Sequence, residues 1–595
     1  MPTLQELIHS IEEGAGARAM KWAGFIVAFL ALAVAYDLRA WRNFSSPEAM
    51  DAAQVARNLA EGRGFSTHFI RPASLYLLGN RAGAGSLTNA HPDLANAPAY
   101  PVLLAAAMRV LPLTYQIPAD DQTRIFQPEL AIAWVNQGLF LVALLLAWRL
   151  ALTLFDPMVA WLSAAVMLGA DQLWRFSISG LPTMLAVVML LVLAHLLVAA
   201  ERGGREETWG AARLYLAAFL AGALAGALGL TRYGLAVLVL PVMFYFNLCF
   251  SSRGLSLGLT VLIGFAAVMT PWLLRNHELS GRLFGTAGLA AYQTTDRFPA
   301  DRLERLLNPE NDLTHEDLRQ VGIDELFYKL GDRLPGIFQN DLPRLGGSWV
   351  TGLFLAAFLV PFRNPSLARL RLFTLLCLPC LTLVQALGQT RLTTLSPDIN
   401  GENLLVVLVP LVFIFGVGMF VVLLDQLELP PFAGRGIAIG LFLVVVCAPM
   451  LFALGRTPRP PMAYPPYHPQ VIQERATWLD ERELMMSDMP WAVAWYGRRD
   501  CVWLPANVAE GFHALNAVRP VAALYLTSLT MDQHLVSEMI EGEDRVWGDF
   551  AANAVVRREI PDNFPLKYAF AEGFPHQLFL ADRERWKAAP AASSR

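Results

Sequence analysis

The chain has 595 residues, of which 55% are hydrophobic and 16% charged, and its mean hydropathy is positive. This composition excludes a water-soluble multidomain protein and predicts a protein that crosses a membrane several times. The formal net charge of −4, without a basic tract, argues against nucleic acid as a partner.

Apolar segments recur along most of the chain, and a bilayer span takes about 20 such residues. The eleven candidates are 22–40, 129–150, 157–175, 181–200, 211–230, 233–250, 255–274, 349–362 (short), 370–387, 403–424 and 435–454. The first lacks a small-residue cleavage site, so we expect a permanent anchor and not a removed signal peptide. The predicted fold class is a polytopic α-helical membrane protein with about eleven spans.

A polar, helix-prone stretch, SPEAMDAAQVARNLAEGRGF, follows the first span at 46–65. A serine cap, Pro47 and Glu48 in the first turn, and glycines after Glu61 predict a helix. Glu48 and Asp51 are three residues apart and therefore lie on one face. Two interpretations are open: solvated acids that complement the helix dipole, or a pair of carboxylates that works at the membrane surface.

The segment AYPVLLAAAMRVLP at 99–112 decides the topology. It carries Arg109 and is too short to span a bilayer. When it is not counted as a span and the N-terminus is cytoplasmic, basic residues concentrate in the cytoplasmic segments. The short outer loops then hold only Arg175, Arg232 and Arg391. We therefore expect the N-terminus in the cytoplasm and the C-terminus outside.

The C-terminal part of the chain changes character at the proline-rich segment RTPRPPMAYPPYHP, 456–469, which cannot continue a helix. After it, helix-like and strand-like pieces alternate, which is typical of a small α/β unit. The predicted organisation is a membrane domain over 1–455 with outer loops 41–128 and 275–348, a linker over 456–469, and an outer α/β domain over 470–595.

The chain has five cysteines, and only Cys501 falls in a predicted outer segment, so no disulfide is expected there. Cys377 and Cys380 form a C-x-x-C pair inside an apolar run, without a strand–helix redox context or a second ligand pair. We therefore assign them no redox or metal role.

Several motifs stand in a fixed order along the chain. Asp51 with AAQVARNLAEGRGF is followed by HPDLANAPAYPVLLA, then by DQLWRFSISGLP in a second outer loop, GALGLTRYG at the end of the fifth span, and TPWLLRN before a long outer loop. Together they resemble the GT-C superfamily of polyprenyl-phosphate-sugar-dependent glycosyltransferases, the group that contains protein O-mannosyltransferases and the lipid A aminoarabinose transferase. The resemblance covers roughly residues 20–420.

The resemblance implies a GT-C fold and an inverting transfer, in which an acceptor hydroxyl attacks the anomeric carbon while polyprenyl phosphate leaves. That chemistry needs a carboxylate to take the hydroxyl proton and cations to offset the charge of the departing phosphate. The resemblance assigns the base to Asp51. An ungapped match of the family's Asp-Glu pair falls on Glu48 and Ala49, so Glu48 is the alternative base.

The same resemblance suggests Arg232 as the main phosphate ligand, because a guanidinium matches phosphate oxygens in pairs. Anchoring to lipid headgroups is the alternative role for this arginine. Arg275 and Arg391 share the outer face and are further phosphate candidates. His91, Asp93 and Tyr100, in the first outer loop, are candidates for substrate binding.

Two positions depart from the family pattern. In the second outer loop the family's acid would fall near Gly180, where this chain has none, and Asp171 lies several residues earlier. In the late outer loop GENLL replaces the family's Arg-Tyr, so Glu402 and Asn403 occupy that place. We include Asp171 and Glu402 among the candidate substrate-binding residues.

No cofactor is expected, and ligand spacing does not support a divalent metal beside His91 and Asp93. The expected partners are a polyprenyl-phosphate sugar donor, a lipid, glycan or protein acceptor, and membrane lipids, in a bacterial inner membrane. The alternative functions are a flippase for lipid-linked sugars and a non-catalytic scaffold for envelope glycan assembly. Acids and arginines gather at the outer ends of apolar spans, which favours surface chemistry over transport.

Overall fold

The structure, a computed structural model, describes most of the chain. The described residues are 15–82, 90–118, 125–250, 253–307, 321–362, 364–392, 399–427, 433–456, 467–506, 511–531, 547, 550, 553–557, 559–570 and 577–587.

Helices dominate up to residue 455. They are α1 Ala15–Arg39, α2 Pro47–Ala60, α3 Pro72–Ala82, α4 Ala99–Val110, α5 Gln127–Leu154, α6 Pro157–Leu168, α7 Asp171–Ile178, α8 Thr183–Arg205, α9 Ala211–Thr231, α10 Val239–Cys249, α11 Gly254–Ser280, α12 Arg302–Arg305, α13 Ile323–Gly336, α14 Leu342–Arg344, α15 Trp349–Ala357, α16 Pro365–Gly388, α17 Val409–Gln426 and α18 Ala433–Gly455. Short 3₁₀ turns at Tyr233–Leu238, Ala287–Ala291 and Leu405–Leu408 precede or join them.

Within the described ranges, eight helices are long and apolar enough to cross a membrane. They are α1, α5, α8, α9, α11, α16, the helix over Leu405–Gln426, and α18. Shorter apolar helices lie at Ala99–Val110, Pro157–Leu168 and Tyr233–Cys249. The predicted polytopic helical fold is confirmed, and the chain is a multi-pass membrane protein.

Three of the eleven predicted spans differ from the structure. The segment 233–250 forms the 3₁₀ turn Tyr233–Leu238 followed by the 11-residue helix α10, and together they are shorter than the helices that can cross a membrane. The segment 157–175 is not one helix, because α6 ends at Leu168 with Gly169 as its C-cap and α7 begins at Asp171. The segment 349–362 forms only the nine-residue helix α15, too short to cross a bilayer. Asp156 starts α6 by accepting the backbone N–H of Val159 at 2.9 Å, which is a standard N-cap.

Helices α9 and α11 approach each other through glycine. A Cβ atom on Gly222 would overlap the backbone carbonyl oxygen of Val261, and one on Gly264 would overlap that of Phe219. Small residues at such crossings let helix backbones pack closely inside a membrane. The two glycines therefore set the distance between these spans.

Replacing Gly222 with alanine should lower the stability of the protein by about 1–3 kcal/mol, the usual cost of overpacking. Thermal unfolding of the purified protein in detergent measures the effect. Gly138→Ala on α5 is the matched control, because its Cβ would meet no atom within 4 Å. Equal melting temperatures for the two variants would contradict close packing at Gly222.

The C-terminal part contains the small sheet that the sequence predicts. Its helices are α19 Pro469–Thr477, α20 Pro490–Ala492, α21 His513–Val518 and α22 Ser528–Met531, and its strands are β4 Leu484–Ser487, β5 Cys501–Trp503, β6 Val521–Leu526, β7 Tyr568–Phe570 and β8 Leu578–Ala581. The first outer loop adds the two-residue strands β1 Ser66–Thr67, β2 Phe69–Ile70 and β3 His91–Pro92. β1 pairs with β3 in an antiparallel ladder.

One strand of the C-terminal sheet comes from the first outer loop. The sheet has six strands in the order β2-β5-β4-β6-β8-β7, parallel from β2 to β6 and antiparallel beyond. Phe69 of β2 pairs with Cys501 and Ile70 with Val502. The predicted linker falls largely on 457–466, outside the described residues, and the proposed domain boundary stays a prediction.

Buried contacts attach the C-terminal part to the membrane helices. The Glu129 carboxylate, at the start of α5, accepts hydrogen bonds from Trp495 Nε1 at 2.8 Å, Tyr496 Oη at 2.6 Å and the backbone N–H of Phe44 at 2.8 Å. Glu129 is fully buried. The C-terminal part therefore docks on the end of the bundle where α5 begins. All five cysteines are free thiols.

Candidate functional site

A cavity of about 490 Å³ opens where α2, the end of α9 and the end of α16 meet. Its charged lining residues are Glu48, Asp51, Arg71, Arg232, Glu304 and Glu402. Four carboxylates and two guanidinium groups therefore surround one space at the ends of several membrane helices. We call it the first cavity.

Helix α2 brings both predicted acids to this cavity. Pro47 occupies its first turn with Glu48, and Gly62 and Gly64 follow its end with φ values of 79° and 71°. Those left-handed angles favour glycine. Ten of the fourteen helix residues are buried, and Asp51 is only 3% exposed. The interpretation of solvated acids is therefore wrong for Asp51.

The Asp51 carboxylate is held by two partners. Arg71 Nη2 donates to Oδ2 at 2.9 Å, and Gln54 Nε2 donates to Oδ1 at 3.1 Å. Gln54 is itself fixed, because Nε2 also donates to Thr67 Oγ1 at 2.6 Å and Oε1 accepts the backbone N–H of His68 at 3.0 Å. The orientation of Asp51 therefore depends on β1 and β2, not on its own helix alone.

Arg71 links Asp51 to a second buried acid, Glu304. Its Nε lies 3.3 Å from Glu304 Oε2, and its guanidinium carbon lies 4.0 Å above the centre of the Phe69 ring. Burial lowers the pKa of Arg71, but the carboxylates of Asp51 and Glu304 raise this pKa by more, so the guanidinium stays charged. Burial also raises the pKa of Glu304, which Arg71 partly offsets.

Glu48 forms a second ion pair in the same cavity. Arg232 Nη2 lies 3.1 Å from Glu48 Oε2, and Arg232 Nη1 donates a hydrogen bond to the backbone carbonyl of Gly401. The Glu48 side chain is 29% exposed and that of Arg232 is 16% exposed. This pair is therefore more accessible than the pair of Asp51 and Arg71.

Glu402 lies beside the Glu48 pair. Its carboxylate accepts the backbone N–H of Thr390 at 2.9 Å and the Thr390 hydroxyl at 2.6 Å. Burial and the nearby Glu48 carboxylate raise the pKa of Glu402 to about 8. At neutral pH the protonated form of Glu402 therefore predominates.

Glu402→Gln should change how stability depends on pH. The folded pKa of Glu402 lies above its usual 4.5, so its contribution to stability is complete below that value and is lost as the pH rises to about 8. Glutamine resembles the protonated acid and removes this loss. As the pH rises from 5 to 9, the melting temperature of the variant should rise relative to that of the wild type. At the upper end the difference in the free energy of unfolding should be about 1–3 kcal/mol in favour of the variant.

Glu206→Gln, at an exposed position after α8, is the control for this series. It should follow the wild type at every pH. A constant difference in melting temperature between wild type and Glu402→Gln across the range would contradict the raised pKa.

Five of the ten residues that the sequence nominated line the first cavity: Glu48, Asp51, Tyr100, Arg232 and Glu402. Tyr100 is buried, donates its hydroxyl to the carbonyl of Gly180 at 2.8 Å and accepts from Asn136 Nδ2 at 2.9 Å. Tyr100 therefore lines the cavity with a ring whose position is fixed by these two hydrogen bonds. Gly180, near which the family's second acid was expected, instead accepts the hydrogen bond from the Tyr100 hydroxyl through its backbone carbonyl.

His91 and Asp93 support the loop and do not line the cavity. Asp93 accepts the backbone N–H groups of Ala95 at 3.2 Å and Asn96 at 3.0 Å, which closes a turn. His91 Nε2 lies 2.8 Å from the Ser74 hydroxyl oxygen. Both side chains are buried, and their predicted role in substrate binding has no support from this placement.

Arg275 also binds the loop backbone. It donates to the carbonyl of Asp93 at 2.7 Å and to that of Phe65 at 3.3 Å, and its guanidinium carbon lies 4.7 Å from the centre of the Trp272 ring. It does not line the first cavity, so a direct phosphate contact has no support from its position.

Two further candidates lie in other cavities. Asp171 accepts the Tyr36 hydroxyl at 2.7 Å and Arg175 Nε at 2.6 Å, and it lines a separate cavity of about 500 Å³. Arg391 lines a small cavity of about 40 Å³ together with Asp301. Neither residue meets Glu48 or Asp51 in the first cavity.

Sequence reasoning missed Arg71 and Glu304. Arg71 directly follows β2 and precedes Pro72, so it stands in the same loop as Asp51, twenty residues later. The sequence signal that could have identified Arg71 is a single arginine placed between a buried strand and a helix. Glu304 comes from a different outer loop, and nothing in the neighbouring sequence connects it with Asp51.

The cavity carboxylates do not form a metal site. Arg71 and Arg232 pair with three of them, and Thr390 holds the fourth. In the described part of the chain, no group of three or more histidine, cysteine, aspartate or glutamate residues is arranged to hold a metal ion. The donor set fits hydrogen-bonded ion pairs and not a metal.

Comparison with protein-family models finds no match, and no curated protein matches the chain either. Solved structures do match. ArnT from Cupriavidus metallidurans, bound to undecaprenyl phosphate, is 12% identical with a TM-score of 0.52 over 95% of this chain and 99% of that chain. The oligosaccharyltransferase AglB from Archaeoglobus fulgidus, with an inhibitory peptide and a dolichol-phosphate, is 10% identical with a TM-score of 0.51 over 86% and 70%.

Likeness at these identities concerns the fold. The similarity to ArnT extends over nearly the whole of both chains, so it includes the C-terminal part as well as the membrane helices. The GT-C fold that the motifs led us to expect is confirmed.

Proposed function

We propose that this protein is a glycosyltransferase that moves a sugar from a polyprenyl-phosphate carrier to an acceptor on the outer face of a bacterial inner membrane. One observation carries the proposal: Glu48, Asp51 and Arg232 line a single cavity at the ends of the membrane helices. The fold, shared with transferases whose structures hold undecaprenyl phosphate or dolichol-phosphate, supports it.

The proposed reaction is a single displacement with inversion. The acceptor hydroxyl oxygen attacks the anomeric carbon, and the bond from that carbon to the phosphate oxygen breaks, so that polyprenyl phosphate leaves with the bonding electrons. Asp51 takes the hydroxyl proton as the new bond forms. Arg232 offsets the negative charge that grows on the leaving phosphate.

The ion pair between Glu48 and Arg232 is consistent with a site that binds an anion, because Glu48 neutralises Arg232 when no phosphate is bound. A phosphate that binds Arg232 competes with Glu48 for the same guanidinium nitrogens, because Nη1 is already committed to the carbonyl of Gly401. Phosphate binding therefore releases the Glu48 carboxylate into the cavity, where it becomes the alternative base. Arg71 compensates the charge of the buried Asp51 throughout.

The proposed topology follows the charge distribution of the loops, with the N-terminus in the cytoplasm and the C-terminal sheet outside. A lipid-linked donor agrees with a cavity at the helix ends, since the sugar–phosphate group of such a donor lies at the membrane surface while its chain stays in the bilayer.

The test uses the purified full-length protein with polyprenyl-phosphate sugars and measures released polyprenyl phosphate by mass spectrometry. We expect release that depends on the protein and on one or a few of the sugars offered. Movement of a fluorescent lipid-linked sugar across vesicles without cleavage would instead indicate a flippase. If the protein neither cleaves the donor nor moves it across the vesicle membrane, the scaffold function is favoured. Movement without cleavage, or the absence of both activities, would overturn the proposal.

A further inference from the structure

Helix α13, Ile323–Gly336, follows one pattern of four residues three times: IDEL, FYKL and GDRL. Because an α-helix has 3.6 residues per turn, residues four apart lie above one another and form rows along the helix. The rows are Ile323 and Phe327; Asp324, Tyr328 and Asp332; Glu325, Lys329 and Arg333; and Leu326, Leu330 and Leu334. Apolar side chains therefore occupy one half of the helix, and mostly polar side chains occupy the other.

In α13 the centre of the charged half is buried and part of the apolar half is exposed. Lys329 is only 2% exposed, and the Glu325 Oε2 and Arg333 Nε atoms are buried. The leucine row is half-buried, whereas Ile323 and Phe327 are 74% and 68% exposed. A helix on a protein surface in water turns its apolar residues to the core and its charged residues to solvent. The orientation of α13 therefore suits surroundings that are less polar than water.

The buried Lys329 binds the turn that forms one wall of the first cavity. Its Nζ donates to the backbone carbonyls of Ala290 at 3.0 Å, Ala291 at 3.3 Å and Gln293 at 2.6 Å. Ala290 and Ala291 line the first cavity. An ammonium group has three N–H donors, so this turn can use all the donors of the lysine. The position of the cavity wall therefore depends on the position of α13.

The exposed face of α13 adjoins a surface that faces lipid. Both α13 and the turn Ala287–Ala291 pack against α16, one of the helices long and apolar enough to cross the membrane. Leu375 and Leu383 of α16 are exposed, and Leu383 lies in the last two turns of that helix, at the end that lines the first cavity. After α13, large exposed apolar side chains continue with Phe338 and Trp349. Such a continuous apolar surface indicates a contact, and beside a membrane-spanning helix the partner is the bilayer.

We propose that α13 lies on the membrane surface with Ile323 and Phe327 among the lipids, and that this contact holds the wall of the first cavity in place through Lys329. Interfacial helices bind by burying an apolar face at the boundary between headgroups and acyl chains. The row of Asp324, Tyr328 and Asp332 then faces water. The proposal concerns the shape of the first cavity and does not depend on the proposed transfer reaction.

The first test identifies what covers the exposed face. The full-length protein with the change Phe327→p-benzoylphenylalanine, a photoreactive residue, is placed in phosphatidylcholine nanodiscs and illuminated, and its adducts are identified by mass spectrometry. We expect a phospholipid adduct, with a yield similar to that of the same change at Leu441, an exposed position on the spanning helix α18. The control is the same change at Val518, which is exposed in the C-terminal part and should give no lipid adduct.

A lipid yield at Phe327 as low as that at Val518 would overturn the membrane contact. Adducts with another segment of this chain or with a second copy would also overturn it, because they would identify protein as the occupant of this face.

The second test measures whether the lipid contact reaches the cavity wall. Hydrogen exchange of residues 287–293 in nanodiscs should become about tenfold faster or more in Ile323→Asp/Phe327→Asp, because aspartate does not enter the apolar part of the bilayer. Ile323→Leu/Phe327→Leu keeps the apolar face and should exchange as the wild type. Unchanged exchange in the aspartate variant would overturn the link to the wall. Equal acceleration in the core strand β4 would show general unfolding and would overturn the same link.

Discussion

Asp51→Asn should lower the rate of sugar transfer by about two to four orders of magnitude, the usual contribution of a general base. Asparagine keeps the shape of the side chain and can still bond Gln54, but it cannot take the acceptor proton. Release of polyprenyl phosphate from a saturating donor measures the effect. The loss should fall on kcat, because the carboxylate acts as the new bond forms and not when the donor binds.

Glu61→Gln is the matched control for Asp51→Asn. Glu61 caps the same helix but pairs with Arg57 and Arg498, away from the first cavity. Its variant should retain the wild-type rate. A full rate for Asp51→Asn together with the same melting temperature would show that Asp51 is not the base.

Glu48→Gln separates the two candidate bases. When Asp51 is the base, this variant weakens a competitor for Arg232 and mainly changes the KM for the donor. When Glu48 is the base, kcat falls in Glu48→Gln and Asp51→Asn retains most of its activity. Full rates in both variants would contradict both assignments.

The membrane helices could be predicted because hydropathy is a local property of sequence. Windows of about 20 apolar residues matched the long helices, and the structure moves most of their ends by only a few residues. Hydropathy failed at 157–175, because its average over a window does not register the break at Gly169 and Ala170, where α6 ends and α7 begins.

The candidate site could be predicted in part because some of its residues are neighbours in the sequence. Glu48 and Asp51 are three residues apart on one helix, so helical geometry alone predicts that they face the same space. Arg232 followed from its place at the end of a span. His91, Asp93 and Arg275 belong to the right loop, but their side chains bind its backbone or a hydroxyl within it, and the sequence does not distinguish such support from contact with a substrate.

Arg71 and Glu304 could not be predicted because long-range pairing positions them. β2 pairs with β5 across more than four hundred residues, and His68 Nδ1 lies 2.8 Å from Asp500 Oδ1 beside that ladder. Arg305 Nε donates to the carbonyl of Leu504 at 2.7 Å, directly after β5. The segments that carry Arg71 and Glu304 are therefore both held by β5 and by the residues directly before and after it.

These contacts suggest a role for the C-terminal sheet within the site. The strand β5 pairs with β2, which precedes Arg71, and the carbonyl of Leu504, directly after β5, accepts from Arg305, the neighbour of Glu304. The strand therefore sets the distance between Glu304 and the arginine that holds Asp51. A soluble domain that only followed the last membrane helix would not supply a neighbour to a strand from the first outer loop.

Arg71→Met should therefore destabilise the protein by about 3–5 kcal/mol, because it leaves the Asp51 and Glu304 carboxylates buried without a compensating charge. The side chains of Arg71 and Asp51 are 9% and 4% exposed, so solvent screens them little. Thermal unfolding at neutral pH measures the loss. Arg63→Met is the control, since Arg63 is 40% exposed in its pair with Glu61 and should contribute about 0–1 kcal/mol.

The double variant Asp51→Asn/Arg71→Met distinguishes a true ion pair from simple loss of packing. When the carboxylate of Asp51 is the group that Arg71 compensates, removing both charges costs less than the sum of the two single changes, by about 0.5–3 kcal/mol. Additive losses would mean that Arg71 acts mainly through its stem and its contact with Phe69. In that case the sheet would hold the loop in place, but Arg71 would not compensate the charge of Asp51.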